Sequence, residues 1–295
     1  MQEREVNIDA WLPPQMASRA EAIGIRKANL DLWSMLTLAI LAGAFISAGA
    51  LFSTTVSAGA AALPYGVGRL LAGLVFSLGL IMVIVAGAEL FTGNNLIVMA
   101  WANGKVSTLK LLRNWAIVYL GNFIGAILTV GIMFGAQQYT FSKGLIGVTA
   151  LNTALTKATL APSQAFFLGI MCNALVCMAV WLCYSARSTT DRIVSIIFPI
   201  TAFVAAGFEH SIANMYFVPM GLLIKQFAPD SFWAMDSLAK ATPVVTQATY
   251  ANLTWSHFLI NNLIPVTLGN IVGGAVLVGL VYWFAYLRIE RTQQK

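Results

Sequence analysis

Two stretches 120 positions apart, residues 87–94 (GAELFTGN) and 207–214 (GFEHSIAN), interrupt apolar runs that are too long for one plain helix. Each sets a glycine first, an acid two residues later and an asparagine at its end. Glu89 and Glu209 are the only carboxylates inside the long hydrophobic runs. A charge in hydrocarbon is costly, so such an acid faces a protein interior or a water-filled path. Irregular backbone at membrane depth is tolerated under the same condition. The pair therefore predicts two broken helices that meet beside a common pathway, the pattern of a duplicated transporter or channel.

Composition agrees. Of 295 residues, 59% are hydrophobic and 9% charged, against roughly 25% charged in soluble domains. A helix needs about 20 apolar residues to cross a bilayer. Six segments qualify, near 33–57, 67–102, 109–136, 163–184, 193–227 and 256–287. The second and fifth hold the acid-bearing breaks, and splitting them into half-helices resolves their excess length.

Residues 114–131 align with 262–279 at a constant offset of 148, with Leu120/Leu268, Gly121/Gly269, Asn122/Asn270 and Gly125/Gly273 identical. Helices 1–3 therefore match helices 4–6. A unit with an odd number of spans emerges on the opposite side, so the second copy is inverted. The predicted fold is an all-α polytopic membrane protein, six transmembrane helices in a 3+3 inverted repeat with helices 2 and 5 broken. Gly121/Gly125 and Gly269/Gly273 suit close backbone contact between helices.

Residues 33–288 form the channel domain, with repeat one about 33–136 and repeat two about 163–288. Residues 1–32 precede it without the apolar core of a signal peptide. In that segment Met16, Ala20, Ile23 and Lys27 fall at helical spacing after Pro13 and Pro14. They predict a short amphipathic helix over residues 15–29 at the membrane surface. Residues 289–295 form a tail. With the N-terminus inside, twelve of the seventeen Lys and Arg flank the inner side: Arg4, Arg19, Arg26, Lys27, Lys105, Lys110, Arg113, Arg187, Arg192, Arg288, Arg291 and Lys295. Arg69, Lys143, Lys157, Lys225 and Lys240 flank the outer side. This bias predicts cytoplasmic termini and a multi-pass protein of a cytoplasmic-type (inner) membrane.

Cys172, Cys177 and Cys183 share one apolar run and read as small buried hydrophobes. Two histidines are too few for a multi-His metal site. The chain has no Cys-x-x-Cys, no Gly-x-Gly-x-x-Gly and no P-loop, which argues against an enzyme or a membrane oxidoreductase subunit and for no cofactor. Neither break carries the Asn-Pro-Ala of aquaporin half-helices, which disfavours a neutral-solute channel. Membrane lipid and a small solute are the implied partners, with no nucleic acid.

His210 stands in the fifth-segment break. Its ordinary pKa near 6.5 makes it a switch near neutral pH. It either donates a hydrogen bond or a proton to a small anion, or is fixed by a carbonyl. Thr92, in the matching break, either binds a passing carboxylate oxygen or bonds a carbonyl of its own helix. Lys157 either folds back to pair with Glu209, which would neutralise a costly charge, or stays solvated in its loop. Glu89 is expected to tie its loop down by accepting backbone N–H bonds. Asn94, Asn173 and Asn214 either bond across helices or line the path. Phe76, Leu80, Leu90, Phe91 and Phe203 flank the breaks, where a selective pore needs hydrophobic constrictions. His257 is expected at the membrane interface.

Residues 86–94 (AGAELFTGN), 114–125 (NWAIVYLGNFIG), 205–214 (AAGFEHSIAN) and 262–274 (NLIPVTLGNIVGG) resemble the formate/nitrite transporter family, nearest its formate-channel branch. The resemblance implies an aquaporin-like protomer in a homopentamer, with one substrate path per protomer. It makes Leu90, Phe91 and Thr92 the pathway loop and His210 its histidine. Phe76 and Phe203 become an outer constriction, and Leu80 and Phe91 an inner one. Glu209, Lys157 and Asn173 map to an outer network, with Asn262 on the path. The implied substrate is formate first, then nitrite, hydrosulfide, acetate or lactate. One departure is Glu89-Leu-Phe-Thr-Gly where the enterobacterial formate channel has Asp-Leu-Phe-Thr-Ser. Glu at this place is also found in the nitrite and hydrosulfide branches. A bare anion cannot cross the Phe and Leu constrictions, so protonation at His210 and proton-coupled passage are expected.

Overall fold

The computed structural model describes residues 10–288. The tail at 289–295, and Arg4, Arg291 and Lys295 with it, lie outside the described residues. Among the described residues, six helices are long and apolar enough to cross a membrane: α2 (Leu32–Ser57), α3 (Tyr65–Ala86), α6 (Thr108–Gly135), α8 (Pro162–Ser185), α9 (Thr189–Ala206) and the last, α13 (His257–Leu287). Before them comes α1 (Pro13–Ala28), and between them lie α4 (Phe91–Asn94), α5 (Val98–Ala102), α7 (Leu145–Ala158), α10 (Ser211–Phe227), α11 (Asp230–Trp233) and α12 (Asp236–Ala239). No strand occurs among the described residues.

Local chemistry sets the helix ends. Asp31 caps α2 by accepting from the N–H groups of Trp33 and Ser34, both at 3.0 Å. Both breaks open with a glycine in the left-handed region, Gly87 at φ +85° and Gly207 at φ +80°. A side chain resists that conformation, so glycine is the natural residue for ending a helix there. The next N–H reaches back in both copies, from Ala88 to the Val83 carbonyl at 2.9 Å and from Phe208 to the Phe203 carbonyl at 3.0 Å.

The two long segments split unevenly. After the first break come only α4, a 3₁₀ turn at Asn95–Ile97 and α5. After the second, α10 runs for 17 residues. The small-residue motifs bring α6 against α2 and α13 against α8. A Cβ on Gly125 would run into the Ile40 carbonyl, and one on Gly273 into the Ile170 carbonyl. The last helix is wound with wide π turns on either side of Ile264–Ile271.

Two expectations change. The N-terminal helix does not merely rest on the bilayer. Met16, Ala17, Ala20, Gly24 and Ala28 are buried, and α1 packs on α5, α6, α8 and the end of α13. The stretch holding Lys157 is not a loop but α7, whose buried Ala150, Leu151 and Ala154 sit in the core with residues of α10. Lys27 ends α1 as Lys157 ends α7. Each half thus gains a leading helix, and the repeat reaches beyond residues 33–136 and 163–288.

Candidate functional site

Each break is held by a fully buried asparagine from the third span of its half. The Asn122 Oδ1 accepts from the Phe91 N–H at 2.9 Å, and its Nδ2 donates to the Ala39 and Glu89 carbonyls at 2.7 and 2.9 Å. Asn270 repeats this on Ser211 (2.9 Å), Gly169 (2.8 Å) and Glu209 (3.0 Å). Backbone without helical partners is thereby satisfied by side chains, as water-free surroundings demand.

The carboxylates face this scaffold in matched networks. The Glu209 carboxylate accepts from the Lys157 Nζ at 2.7 Å, the Asn214 Nδ2 at 2.7 Å and the Asn262 Nδ2 at 3.1 Å. The Glu89 carboxylate accepts from the Lys27 Nζ and the Asn94 Nδ2, both at 2.7 Å. Asn94 in turn donates to the Asn114 Oδ1 at 2.9 Å. Asn114 donates to the Lys27 carbonyl at 3.1 Å, as Asn262 does to the Lys157 carbonyl at 3.0 Å. A buried carboxylate is tolerable only when paired and hydrogen-bonded in this way.

Several expectations are revised. Glu89 is held by a lysine and an asparagine side chain, not by backbone N–H groups. Asn173 lies outside the Glu209 network. Its Nδ2 instead donates to the Thr92 carbonyl (3.3 Å), the Asn95 Oδ1 (2.9 Å) and the Asn270 carbonyl (2.7 Å). The asparagines of the Glu209 network are Asn214 and Asn262. Asn94, Asn173 and Asn214 all bond across helices, and Asn94 and Asn214 also line cavities. The copies differ in two bonds. Asn262 donates to the Glu209 carboxylate, a bond that Asn114 does not make to Glu89 among the described residues, and the lysines differ in their reach. Lys27 reaches the Asn94 Oδ1 at 3.0 Å, whereas the buried Asn214 Oδ1 has no partner among the described residues and Lys157 lies 5.3 Å from the Phe217 ring centre.

Thr92 and His210 meet between the halves, with the Thr92 Oγ1 3.1 Å from the His210 Nε2. The His210 Nδ1 caps α10 by accepting from the Ala213 N–H at 3.1 Å. An Nδ1 that accepts carries no proton, so the neutral ring bears its hydrogen on Nε2 and donates it to Thr92. This leaves the threonine O–H free to donate to a solute. Offset by 120, His210 corresponds to Leu90 and Thr92 to Ile212. The polar pair is therefore an asymmetric feature on a nearly symmetric scaffold.

Two cavities flank the breaks: His210 lines the one on the α7 face, while Thr92 is fully buried and lines neither. The one on the α7 face, about 320 Å³, is walled by Arg69, Phe76, Lys157, Phe203, Glu209 and His210 among others. The rings of Phe76 and Phe203 meet edge-on at 5.6 Å, and Phe203 stacks on His210 at 5.9 Å. The cavity on the α1 face, about 400 Å³, includes Arg19, Lys27, Leu80, Glu89, Leu90 and Arg192. Phe91 lines neither, because its ring packs edge-on against Trp115 and Tyr119 at 6.1 and 5.0 Å. Leu90 stands beside Leu80 at the wall instead. His257 sits at the head of α13 with its Nδ1 2.6 Å from the Asn252 carbonyl.

Sequence reasoning missed the pairing of Lys27 with Glu89 and the support Asn114 gives through Asn94. Carrying the 148 offset from Asn262 back to Asn114 would have pointed to half of it. Arg69 was likewise missed as a helix terminator. It donates to the Val204 carbonyl and, at 3.0 Å from Nε, to the Ala205 carbonyl at the end of α9.

The conserved-family profile of formate/nitrite transporters matches residues 14–284. The chain belongs to the formate/nitrite transporter family. It is 44% identical over 280 residues to the formate channel FocA of Escherichia coli K12, covering 95% of this chain and 96% of that one. It is 41% identical to the formate channel FocA of Haemophilus influenzae, covering 92% and 93%. Among solved structures, a pentameric formate channel with formate bound superposes with a TM-score of 0.81 at 49% identity, covering 87% of this chain and 98% of that one. An ion channel of the same family gives 0.75 at 27% identity, covering 92% and 98%. These relatives are channels and transporters rather than enzymes.

Proposed function

We propose that this family member passes small monovalent anions of weak acids, formate first, across a cytoplasmic-type membrane with both termini inside. The Thr92–His210 pair, with His210 on the wall of the α7-face cavity, carries this reading, supported by the relatives named for formate. Nitrite and hydrosulfide remain the rival substrates, and acetate and lactate the larger candidates. The pentameric neighbour supports a homopentamer with one path per protomer. Native mass spectrometry of the detergent-purified protein checks that assembly.

In this mechanism the cationic mouths draw the anion in, and the Thr92 O–H and His210 Nε2–H bind its oxygens. Desolvating a bare charge between Phe76/Phe203 and Leu80/Leu90 is prohibitive. A proton that enters with the anion is added to a substrate oxygen at His210, by the imidazolium or by a water the ring orients. The neutral acid crosses the apolar neck and releases that proton beyond it. An imidazolium bears N–H at both nitrogens, so charging His210 breaks its bond to the Ala213 N–H. Neutral His210 is the resting form, and proton uptake is tied to loosening the cap of α10. At higher pH the same path carries channel-like anion flux. Formate uptake into proteoliposomes should steepen as external pH falls. Uptake that is indifferent both to pH and to His210→Phe would overturn the proton coupling.

A further inference from the structure

The vestibule on the α1 face holds more positive charge than its acid can answer. Arg19, Arg26 and Lys27 reach its wall from α1, and Arg192 from α9. Glu89 is the one carboxylate on that wall among the described residues, and Lys27 already holds it at 2.7 Å. Neighbouring acids are engaged elsewhere. Asp191 accepts from the N–H groups of Arg187 and Ser188 at the start of α9, and Glu21 accepts from Asn103. Three guanidinium groups thus line one cavity whose single carboxylate is already paired with Lys27. Arg26 and Arg192 make no side-chain hydrogen bond or ion pair among the described residues. Arg19 is anchored on one side only, where a single terminal nitrogen donates to the Tyr184 and Ala186 carbonyls at 3.1 and 3.3 Å. Burial first, and then the Arg192 and Arg187 charges, draw the Arg19 pKa below its ordinary value.

The opposite vestibule lacks this surplus. There Lys157 is paired with Glu209, and Arg69 is spent on the carbonyls that end α9. Basic residues on one face of a membrane protein commonly serve orientation by meeting lipid headgroups. These three instead line the wall of one half-open mouth, Arg19 and Arg192 partly buried and Arg26 exposed at its edge. A monovalent anion answers only one of these charges. Guanidinium forks fit the oxygens of a phosphate, two N–H groups to two oxygens.

We propose that this vestibule binds a free phosphate-class dianion between Arg19, Arg26 and Arg192, and that the bound dianion closes the α1-side mouth to the small substrate. A dianion cannot follow the substrate inward, because dehydrating it against the apolar Leu80 and Leu90 of the wall is prohibitive. The closing step rests on reading this cavity as one end of the transport path, while the binding step does not.

The test titrates the full-length protein in uncharged detergent with inorganic phosphate by calorimetry, at a mildly alkaline pH that keeps phosphate a dianion. Binding is expected, weakened about tenfold in Arg192→Gln and again in Arg26→Gln, the loss of one charge-assisted contact each. Absent binding, or affinity unchanged in both variants, overturns the site. A short-chain phosphatidate that binds where inorganic phosphate does not overturns the free anion as its ligand. In oriented proteoliposomes, phosphate on the α1 side should slow formate flux and phosphate on the other side should not, with the slowing lost in Arg192→Gln. Binding without slowing overturns closure. Wild-type protein that passes no formate overturns the transport reading and leaves the calorimetry standing.

Discussion

His210 has two structural duties, one at each ring nitrogen, and they can be separated by substitution. Its Nδ1 caps α10 and its Nε2 meets Thr92. Asparagine is a strong N-cap residue that does not titrate, whereas phenylalanine offers no cap. His210→Asn should keep thermal stability while its formate uptake loses pH dependence. His210→Phe should lose both, with roughly 0.5–2 kcal/mol of stability gone, and paired melting and uptake curves separate the two. The Lys157–Glu209 pair makes a comparable case. Both side chains are largely enclosed, with Glu209 only 5% exposed. Lys157→Met should cost about 3–5 kcal/mol by stranding the carboxylate, and adding Glu209→Gln should recover much of it. A double variant no more stable than the single one would show that the pair is not what holds the carboxylate. Glu209 and Lys157 were readable as possible partners because an intramembrane acid needs a cation. Asn173 was misplaced because three asparagines in apolar runs look alike until their neighbours are known.

At the scale of elements, the breaks and the close helix crossings do different work. Gly87 and Gly207 end helices by their backbone conformation. Gly125 and Gly273 instead allow α6 and α13 to touch α2 and α8. Gly131, with open space where a Cβ would stand, is the natural control. Gly125→Ala and Gly273→Ala should each destabilise by roughly 1–3 kcal/mol or more through overpacking. Gly131→Ala should be neutral or mildly stabilising, since alanine favours helix. Equal melting temperatures for all three would refute the close-contact reading. The six spans were legible from length and hydropathy, which report directly on where backbone can be buried in lipid. Helix α7 was not, because its apolar residues are fewer and its polar ones suggested a connecting loop. Nor was the packing of α1, because an amphipathic face cannot say whether it meets lipid or protein.

For the whole molecule, a net charge of +6 matters less than where the cations stand. Both vestibules carry them, and the α1 face carries more. Attraction of a small anion to such mouths is screened by salt, over about 10 Å at 0.1 M ionic strength. Subsaturating formate uptake should therefore fall as inert salt rises from about 0.01 to 0.15 M. A flat response would mean that the vestibule charge does not steer the substrate. The sequence alone determined the membrane class, the six spans, the inverted repeat and the place of both breaks. Those follow from hydropathy, chain length and internal self-similarity, which depend only on residue order. Tertiary structure decided which lysine answers which glutamate, that Leu90 rather than Phe91 meets the cavity, and which nitrogen of His210 carries the proton. These are matters of a few ångströms between residues far apart in the chain, such as the 118 positions separating Thr92 from His210. Only the packed helices bring such groups together. The acid-bearing breaks could thus be found by reading, but their unequal partners came from the fold.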